Sequence, residues 1–259
     1  MDLGLKGKSA AISGGSQGLG NAIANALADE GCNVAISARG EERLNQAVEE
    51  LLAKGVQAVG IQCDMSTSNG CKFFIEGAVA GLGGLDILVN NVGGMTPGTL
   101  ESLTDEQWSE VLDRNLMAYV WATKYAVEYL GEGAAILNVS GVSGRQLLPG
   151  SLSTTLPNTA INGFSKVMAG ELAPKGVRVN NLCPGIIDTE AWGPRRETMG
   201  KVRGVTGDDI HKMFAGLSLM GRWGKPEEIG NIAAFLVSEK NSFMTGTTVE
   251  ACGGFAKYI

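Results

Sequence analysis

A glycine-rich segment near the start of the chain, S-G-G-S-Q-G-L-G at 13–20, constrains the fold more than any other stretch. It follows the apolar run 9–12 and opens a segment, 21–30, in which apolar residues recur at helical spacing. A strand, a glycine-rich turn and a helix in this order present backbone N–H groups and the positive end of a helix dipole to a phosphate. Small-residue turns also join strands to helices for packing reasons alone, so the rest of the chain must decide between these interpretations.

Short apolar runs alternate with amphipathic segments along the chain. The predicted strands are 9–12, 33–37, 57–62, 85–89, 134–139, 177–182 and 247–251. The predicted helices are 21–30, 41–54, 68–82, 105–130, 154–173 and 226–237. This alternation is typical of an α/β fold in which helices cover both faces of a doubly wound parallel sheet. We predict a single domain over 1–259, because no repeat, low-complexity tract or linker interrupts the pattern.

The segment 188–221 is the longest connection without a clear period, and we predict an irregular lid on the substrate side. Its arginines Arg195, Arg196 and Arg203 could attract an anionic substrate, although acidic residues in the same segment nearly balance them and favour a solvated loop. His211, the only histidine, could supply a proton from this segment or could simply be a surface residue.

Composition narrows the classes of function. The net charge is −6, which predicts no basic surface for nucleic acid. No stretch approaches the roughly 20 apolar residues of a membrane span, and no signal segment is evident, so we expect a cytoplasmic protein without a membrane partner. The five cysteines lack metal-ligand spacing, which favours reduced thiols and no metal site.

Several motifs, in this order, resemble those of the short-chain dehydrogenase/reductase family, in particular its 3-oxoacyl-carrier-protein-reductase-like members. Glycines at 14, 18 and 20 fit the family's G-x-x-x-G-x-G turn, and N-N-V-G at 90–93 is similar to its N-N-A-G. Asn115 matches a mid-helix asparagine, and P-G at 184–185 fits a segment that covers the nicotinamide. The resemblance covers essentially the whole chain. It implies a Rossmann domain with a seven-stranded parallel sheet flanked by helices, in which strands three, two and one lie on one side of the switch point.

The resemblance also implies a nicotinamide dinucleotide bound at the carboxyl ends of the strands. The positions it assigns to that cofactor are Gly14, Ser16, Gln17, Gly18, Leu19, Gly20, Arg39, Asp64, Met65, Asn90, Asn91, Gly93, Pro184, Gly185, Ile187 and Thr189. Among these, Asp64 would face the adenine.

The end of the second strand favours NADP(H) over NAD(H). An acidic residue there would accept hydrogen bonds from the ribose hydroxyls of NAD. The chain instead has Ala38 followed by Arg39, which removes a negative charge and offers a forked donor to a 2′-phosphate. The alternative is that Arg39 is an ordinary solvated arginine.

In the family, a serine after the fifth strand and a Tyr-x-x-x-Lys pair on the next helix carry the proton chemistry. Here Gly141, Thr154 and Asn158 fall at those positions, and only Asn115 agrees with the family. We therefore predict a non-standard site of Asn115, Thr154 and Asn158. Ser143 could hydrogen-bond a substrate carbonyl there, or could cap local backbone groups.

No shift of the alignment restores the missing residues. The match over 171–180 has no gap, and Asn162 rather than a tyrosine precedes Lys166 by four positions. The tyrosines of the chain, none an evident substitute, are Tyr119, Tyr125, Tyr129 and Tyr258. Pro157 is expected only in a first helical turn, so the start of this helix could be shifted or distorted.

The leading hypothesis is an atypical NADP(H)-dependent oxidoreductase that transfers hydride between the cofactor and a small carbonyl or alcohol substrate. Two alternatives stay open: a catalytically silent, cofactor-binding partner subunit of an active reductase, and a non-redox isomerase or dehydratase on the same fold.

The resemblance further implies that the two long central helices pack against a partner subunit, giving a homotetramer or dimer, with a hetero-oligomer also possible. The apolar residues that favour this interpretation are Met117, Tyr119, Val120 and Trp121. Solvent exposure of the same helices is the alternative.

Overall fold

Alternating strands and helices make up the computed structural model, which describes residues 2–146 and 151–257. The strands are β1 (Ser9–Ile12), β2 (Asn33–Ala38), β3 (Ala58–Gln62), β4 (Ile87–Asn90), β5 (Ala135–Val139), β6 (Arg178–Pro184) and β7 (Thr248–Ala251). The helices are α1 (Gly18–Asp29), α2 (Glu41–Leu52), α3 (Ser68–Leu82), α4 (Asp105–Leu112), α5 (Ala118–Ala126), α6 (Leu152–Leu172), α7 (Trp192–Arg203), α8 (Gly207–Ala215) and α9 (Pro226–Val237). A π-helical segment (Asp113–Met117) joins α4 to α5, and short 3₁₀ turns occupy Val142–Gly144 and Ala173–Lys175.

All seven strands form one parallel sheet in the order β3-β2-β1-β4-β5-β6-β7. The chain returns across β1 to reach β4, so the switch point of this order lies between those two strands. The predicted doubly wound α/β fold with a seven-stranded sheet is confirmed. Because parallel strands end at the same edge, the segments that follow β1, β4, β5 and β6 gather at one edge of the sheet.

Apolar side chains cover the sheet on both faces. On one face, α1, α2 and α9 pack through residues such as Ile23, Leu51 and Ile229. On the other face, α3, α5 and α6 pack through residues such as Phe74 and Ile161. Burying both faces accounts for strands that are continuous apolar runs rather than alternating ones. Among the helices of 2–146 and 151–257, none combines the length and the apolar character that a bilayer crossing requires.

A row of buried amides, which we call the amide ladder, crosses this second layer. Asn90 donates from Nδ2 to Oδ1 of Asn138 at 2.8 Å and to the hydroxyl of Thr123 at 3.1 Å. Asn138 donates to Oγ of Ser165 at 2.8 Å, and that hydroxyl donates to the carbonyl oxygen of Ile161 at 2.7 Å. The ladder therefore ties β4 and β5 to α5 and α6 through directional bonds inside the core.

The connection 188–221 is not irregular, so that prediction is wrong. It contains α7 and α8, separated by Gly204, which adopts a φ of +67°. Thr206 and Asp209 form a reciprocal capping box that starts α8. Aromatic contacts, described below, hold both helices.

Two helix predictions also need correction. The helix expected over 105–130 ends at Ala126 and contains the π-helical segment, and Tyr119 on it faces the core rather than a partner. Its ring is 2% exposed and its hydroxyl donates to the carbonyl oxygen of Val139 at 2.7 Å. α6 begins at Leu152, so Pro157 is its sixth residue and lies beyond the first turn.

Candidate active site

The glycine-rich turn between β1 and α1 is shaped by close backbone contacts. Gly14 and Gly18 adopt φ values of +67° and +57°, a left-handed conformation that other residues reach only at a cost. Gly20 lies directly against the turn. A Cβ there would stand 2.2 Å from the carbonyl oxygen of Gly14 and 2.5 Å from Nδ2 of Asn91. The turn therefore requires glycine at this position to fold this tightly.

Side chains at the ends of β2 and β4 hold the turn in place. The hydroxyl of Ser37 accepts a hydrogen bond from the backbone N–H of Gly14 at 3.1 Å. Asn91 donates from Nδ2 to the carbonyl oxygens of Ser13 at 3.1 Å and Gly14 at 3.3 Å. The N-cap residue Gln17 makes no side-chain hydrogen bond to α1. The first N–H groups of α1 thus have neither a helical partner nor a side-chain cap, as suits an anion site.

Arg39 and Asp64 follow β2 and β3 at the same edge of the sheet, and both are exposed. The carbonyl oxygen of Arg39 accepts a hydrogen bond from Nε2 of Gln62 at 3.0 Å. The pKa of Asp64 is lowered chiefly by a hydrogen bond from the backbone N–H of Ser66, with the charge of Arg39 contributing less. Met65 is buried beside them. A cation and an anion therefore stand together where the resemblance places the adenosine.

Sequence reasoning missed a second arginine at this edge. Arg43 on α2 donates from Nη1 to Oε1 of Gln17, which joins α2 to the glycine-rich turn. Beside this contact is a cavity of about 370 Å³ that Ser16, Asn21 and Glu190 also line. Its position in the sequence could have indicated this role, because Arg43 lies four residues after Arg39 in the first turn of a predicted helix.

The segment after β6 closes the other side of the turn. A Cβ at Gly185 would stand 2.7 Å from Cα of Cys252, so this backbone is packed against the chain that follows β7. Ile187 forms a parallel bridge with Gly224. Thr189 reaches the turn itself, because its Cγ2 lies 3.8 Å from the position of a Cβ on Gly18. The two segments assigned to opposite ends of a dinucleotide thus meet at Thr189.

Asn115 fixes the loop that follows β4. It lies in the π-helical segment and is buried. Its Oδ1 accepts a hydrogen bond from the N–H of Gly94 at 2.8 Å, and its Nδ2 donates to the carbonyl oxygen of Gly94 at 2.9 Å. A Cβ on Gly93 would stand 3.3 Å from the same Oδ1. This side chain therefore holds the loop as a two-sided clamp rather than pointing free into a cleft.

Gly141, Ser143 and Asn158 come together where β5 ends against α6. Asn158 donates from Nδ2 to the hydroxyl of Ser143 at 2.9 Å. A Cβ on Gly141 would stand 2.9 Å from that same Nδ2. Gly144 lies still closer to the helix, since a Cβ there would stand 2.6 Å from the carbonyl carbon of Asn158. The amide of Asn158 therefore occupies the space into which a side chain at 141 would project.

Thr154 directs its hydroxyl to the start of its own helix. Its Oγ1 donates to the carbonyl oxygen of Ser151 at 3.0 Å. The neighbouring Ser153 donates to the carbonyl oxygen of Thr96 at 2.7 Å, which anchors the loop after β4 to α6. Within the described residues, no hydrogen bond joins Thr154 to Ser143, Asn158 or Asn115. The structure thus joins Ser143 and Asn158 by a hydrogen bond that does not include Thr154.

His211 belongs to an aromatic cluster rather than to this group. Its ring stacks on Trp223 at 4.7 Å with an interplanar angle of 3°, and its Nδ1 lies beside Nη1 of Arg196. Trp192 and Phe214 pack edgewise on Trp223 and complete the cluster. Within the described residues, no hydrogen bond or ring contact joins His211 to residues 141–146 or 151–158, and no His, Cys, Asp or Glu group there is suited to a metal.

The other candidate proton donors lie elsewhere. Lys166 donates from Nζ to the carbonyl oxygen of Gly246 at 3.1 Å. Tyr125 shares a hydrogen bond of 2.8 Å with Ser68, and Tyr129 is partly exposed at the end of its helix. Tyr258 lies outside the described residues.

Comparison with known proteins gives matches over nearly the whole chain. A family model described as enoyl-(acyl carrier protein) reductase matches residues 14–256. An uncharacterized oxidoreductase of Methylorubrum extorquens is 35% identical over 251 residues, covering 96% of this chain and 98% of that protein. The 3-oxoacyl-[acyl-carrier-protein] reductase of Staphylococcus aureus is 32% identical over 250 residues, covering 95% and 97%.

The fold also matches a solved structure end to end. The crystal structure of L-sorbose reductase from Gluconobacter frateurii, complexed with NADPH and L-sorbose, superposes with a TM-score of 0.95 at 31% sequence identity. That comparison covers 100% of both chains.

Proposed function

The chain belongs to the short-chain dehydrogenase/reductase family of oxidoreductases, and on this premise we propose that it binds NADP(H) and transfers hydride between the nicotinamide and a small carbonyl or alcohol substrate. We further propose that Gly141, Thr154 and Asn158 stand in place of the family's serine, tyrosine and lysine. The segment 188–221 would act as the lid on the substrate side.

The observation that carries this proposal is the contact between Gly20 and the turn. A Cβ at Gly20 would stand 2.2 Å from the carbonyl oxygen of Gly14, so the turn leaves no room for a side chain there. The N-terminus of α1 also carries no side-chain cap. These features suit a dinucleotide phosphate. Arg39 and Arg43 offer donors to a 2′-phosphate, and the NADPH bound by L-sorbose reductase supports the same choice.

A bound nicotinamide supplies or accepts a hydride, and the chain must then manage the accompanying proton. Because the hydroxyl of Ser143 accepts its hydrogen bond from Asn158, its own proton is left for the oxygen of a substrate. We propose that Ser143 orients that oxygen and that Asn158 positions Ser143. The hydroxyl of Thr154 already donates to a backbone carbonyl, so the proton would come from water or from the substrate.

This arrangement predicts a low turnover rate together with an unimpaired affinity for NADPH. Removing a positioned general acid lowers rates by roughly 10² to 10⁴. The clamp formed by Asn115 on Gly94 is intact, which keeps the loop after β4 in place for the cofactor.

The test is a fluorescence titration with NADPH followed by a screen of NADPH consumption against varied ketones. We expect saturable NADPH binding, slow turnover of at least one ketone, and faster turnover in the triple variant Gly141→Ser, Thr154→Tyr, Asn158→Lys. Absence of NADPH binding at millimolar concentration would overturn the proposal. The single variant Thr154→Tyr serves as the matched control, since it adds the phenol without the lysine.

A second candidate is a cofactor-binding partner subunit without its own turnover. The observation that favours it is the closed hydrogen bonding of Thr154 and Asn158, which presents no charged group to a substrate. Binding of NADPH without turnover of any ketone, together with co-purification of an active homologue, would support this role. Turnover of a substrate without consumption of NADPH would instead indicate a non-redox isomerase or dehydratase.

We also propose that the protein is a homo-oligomer, a tetramer or dimer. Exposed apolar side chains on α3 and α4, Phe73 at 59% and Leu112 at 39%, favour a partner on this side of the molecule. Light scattering on the eluting protein tests this, and a monomer at micromolar concentration would contradict it.

A further inference from the structure

Arg114 is a half-buried arginine next to Asn115 that the proposed chemistry does not use. Its Nη2 donates to the carbonyl oxygen of Gly94 at 3.2 Å and to Oγ1 of Thr96 at 3.0 Å, and its Nε lies 3.4 Å from Oδ1 of Asn115. These bonds use one edge of the guanidinium. Within the described residues, Nη1 has no hydrogen-bond partner, so the outer edge of the group remains available.

The charge of Arg114 is not balanced by a carboxylate. It forms no ion pair within the described residues, whereas five other basic side chains do. Burial is the main cause that lowers the pKa of its guanidinium, followed by the charge of Arg39; Glu110 opposes them, and the charge of Arg195 adds a smaller lowering effect. Like charges repel unless an anion lies among them.

The position of Arg114 links this charge to the proposed reacting centre. Thr96, which accepts from Arg114 through its side chain, accepts through its carbonyl oxygen from Ser153. Ser153 immediately precedes Thr154 on α6. The loop after β4 therefore joins the guanidinium to the start of α6 through Thr96.

We infer that Arg114 binds the anionic group of the carbonyl substrate, a carboxylate or a phosphate. This inference rests on the proposed function and names the substrate class of the same site. A planar guanidinium held by three bonds is pre-organised for such a group.

The experiment is a calorimetric titration of the NADP⁺-loaded protein with acetoacetate, with inorganic phosphate, and with the uncharged ketone 2-pentanone. We expect Arg114→Gln to weaken acetoacetate and phosphate binding by about tenfold or more, as for a lost charge-assisted hydrogen bond, and to leave 2-pentanone unaffected. Arg195→Gln removes a charge that acts on Arg114 and has no structural hydrogen bond among the described contacts, so it should weaken both anions less than Arg114→Gln does and leave the melting temperature unchanged. Arg203→Gln, on the last turn of α7, is the matched control and should bind as the wild type does.

Three outcomes would overturn the inference. The wild type would bind neither anion, Arg114→Gln would bind them equally well, or Arg114→Gln would lose NADPH affinity by the same factor, which would assign the arginine to a cofactor phosphate. If the protein binds no NADPH, the proposed function fails separately, and the same anion titrations on the unloaded chain decide the role of Arg114.

Discussion

Replacing Gly20 by alanine tests the structure of the phosphate-binding turn directly. The added methyl would stand 2.2 Å from the carbonyl oxygen of Gly14, where ordinary contacts begin near 3.4 Å, so the turn or α1 must move by about 1 Å. The same methyl would stand 2.5 Å from Nδ2 of Asn91. The first atom is backbone of the turn, and the second belongs to a side chain that hydrogen bonds to Ser13 and Gly14 hold in place.

The expected loss of stability is the sum of the overpacking cost and the hydrogen bonds that break. Overpacking of this kind costs about 1–3 kcal/mol. Displacing Asn91 also breaks its bonds to Ser13 and Gly14, each worth about 0.5–1.5 kcal/mol. We therefore expect Gly20→Ala to lower the free energy of unfolding by about 2–6 kcal/mol and to weaken NADPH binding at least about tenfold.

Urea unfolding followed by circular dichroism and NADPH fluorescence titration provide the two measurements. Gly163→Ala is the matched control, because Gly163 is exposed on α6 with no atom near its missing Cβ. That variant should leave NADPH binding unchanged and raise the free energy of unfolding by about 0.5–1 kcal/mol. If Gly20→Ala unfolds and binds NADPH as the wild type does, the close-contact reasoning is refuted.

Three further predictions concern the rest of the site. Gly144→Ala should destabilise the protein by about 1–3 kcal/mol in urea unfolding, and Gly141→Ala by less, because the first meets the backbone of Asn158 and the second only its amide. Arg39→Ala should weaken NADPH binding about tenfold and leave NADH binding nearly unchanged in parallel fluorescence titrations. Burial raises the pKa of Cys63 to about 11, so its alkylation by iodoacetamide, followed by mass spectrometry, should be slow at pH 8 and accelerate up to that pKa.

Each of these has a result that contradicts it. If Gly144→Ala and Gly141→Ala lose the same stability, the backbone of Asn158 moves aside as easily as its side-chain amide, which contradicts the first prediction. An equal loss of both cofactors would show that Arg39 does not recognise a 2′-phosphate. Rapid labelling of Cys63 at pH 8 would place its thiol in water.

Elements with strong local signals could be predicted from the sequence. α3 was predicted at both ends, since Thr67 caps its start and Gly83 ends it with a φ of +78°. α9 begins at Pro226 as predicted, because proline suits the first helical position. The buried strands read as apolar runs because both faces of the sheet are covered.

The helix α7 could not be found from periodicity. Only Gly200 is buried on α7, so the helix has no apolar stripe to recognise. It is held by Trp192 against Trp223, a contact between residues distant in sequence. For α8, the capping box at Thr206 is a local sequence signal that marks the start of the helix.

In the candidate site too, some residues could be identified from the sequence and others depend on tertiary packing. The turn residues were identified from spacing, because a tight turn imposes glycine locally. The pairing of Asn158 with Ser143 and the approach of Arg43 to Gln17 depend on how α6 and α2 lie on the sheet. The π-helical segment around Asn115 arises from tertiary packing as well, since the sequence there continues a regular helical pattern.

The amide ladder holds α6 at positions other than those of the candidate site. Its bonds reach the helix at Ile161 and Ser165, whereas Thr154 and Asn158 lie nearer the amino end of the same helix. Directional bonds in the core fix the register of the helix whichever side chains stand at that end. Substitutions at the amino end therefore leave the bonds of the amide ladder intact, so side chains there can change while the rest of the helix stays in place.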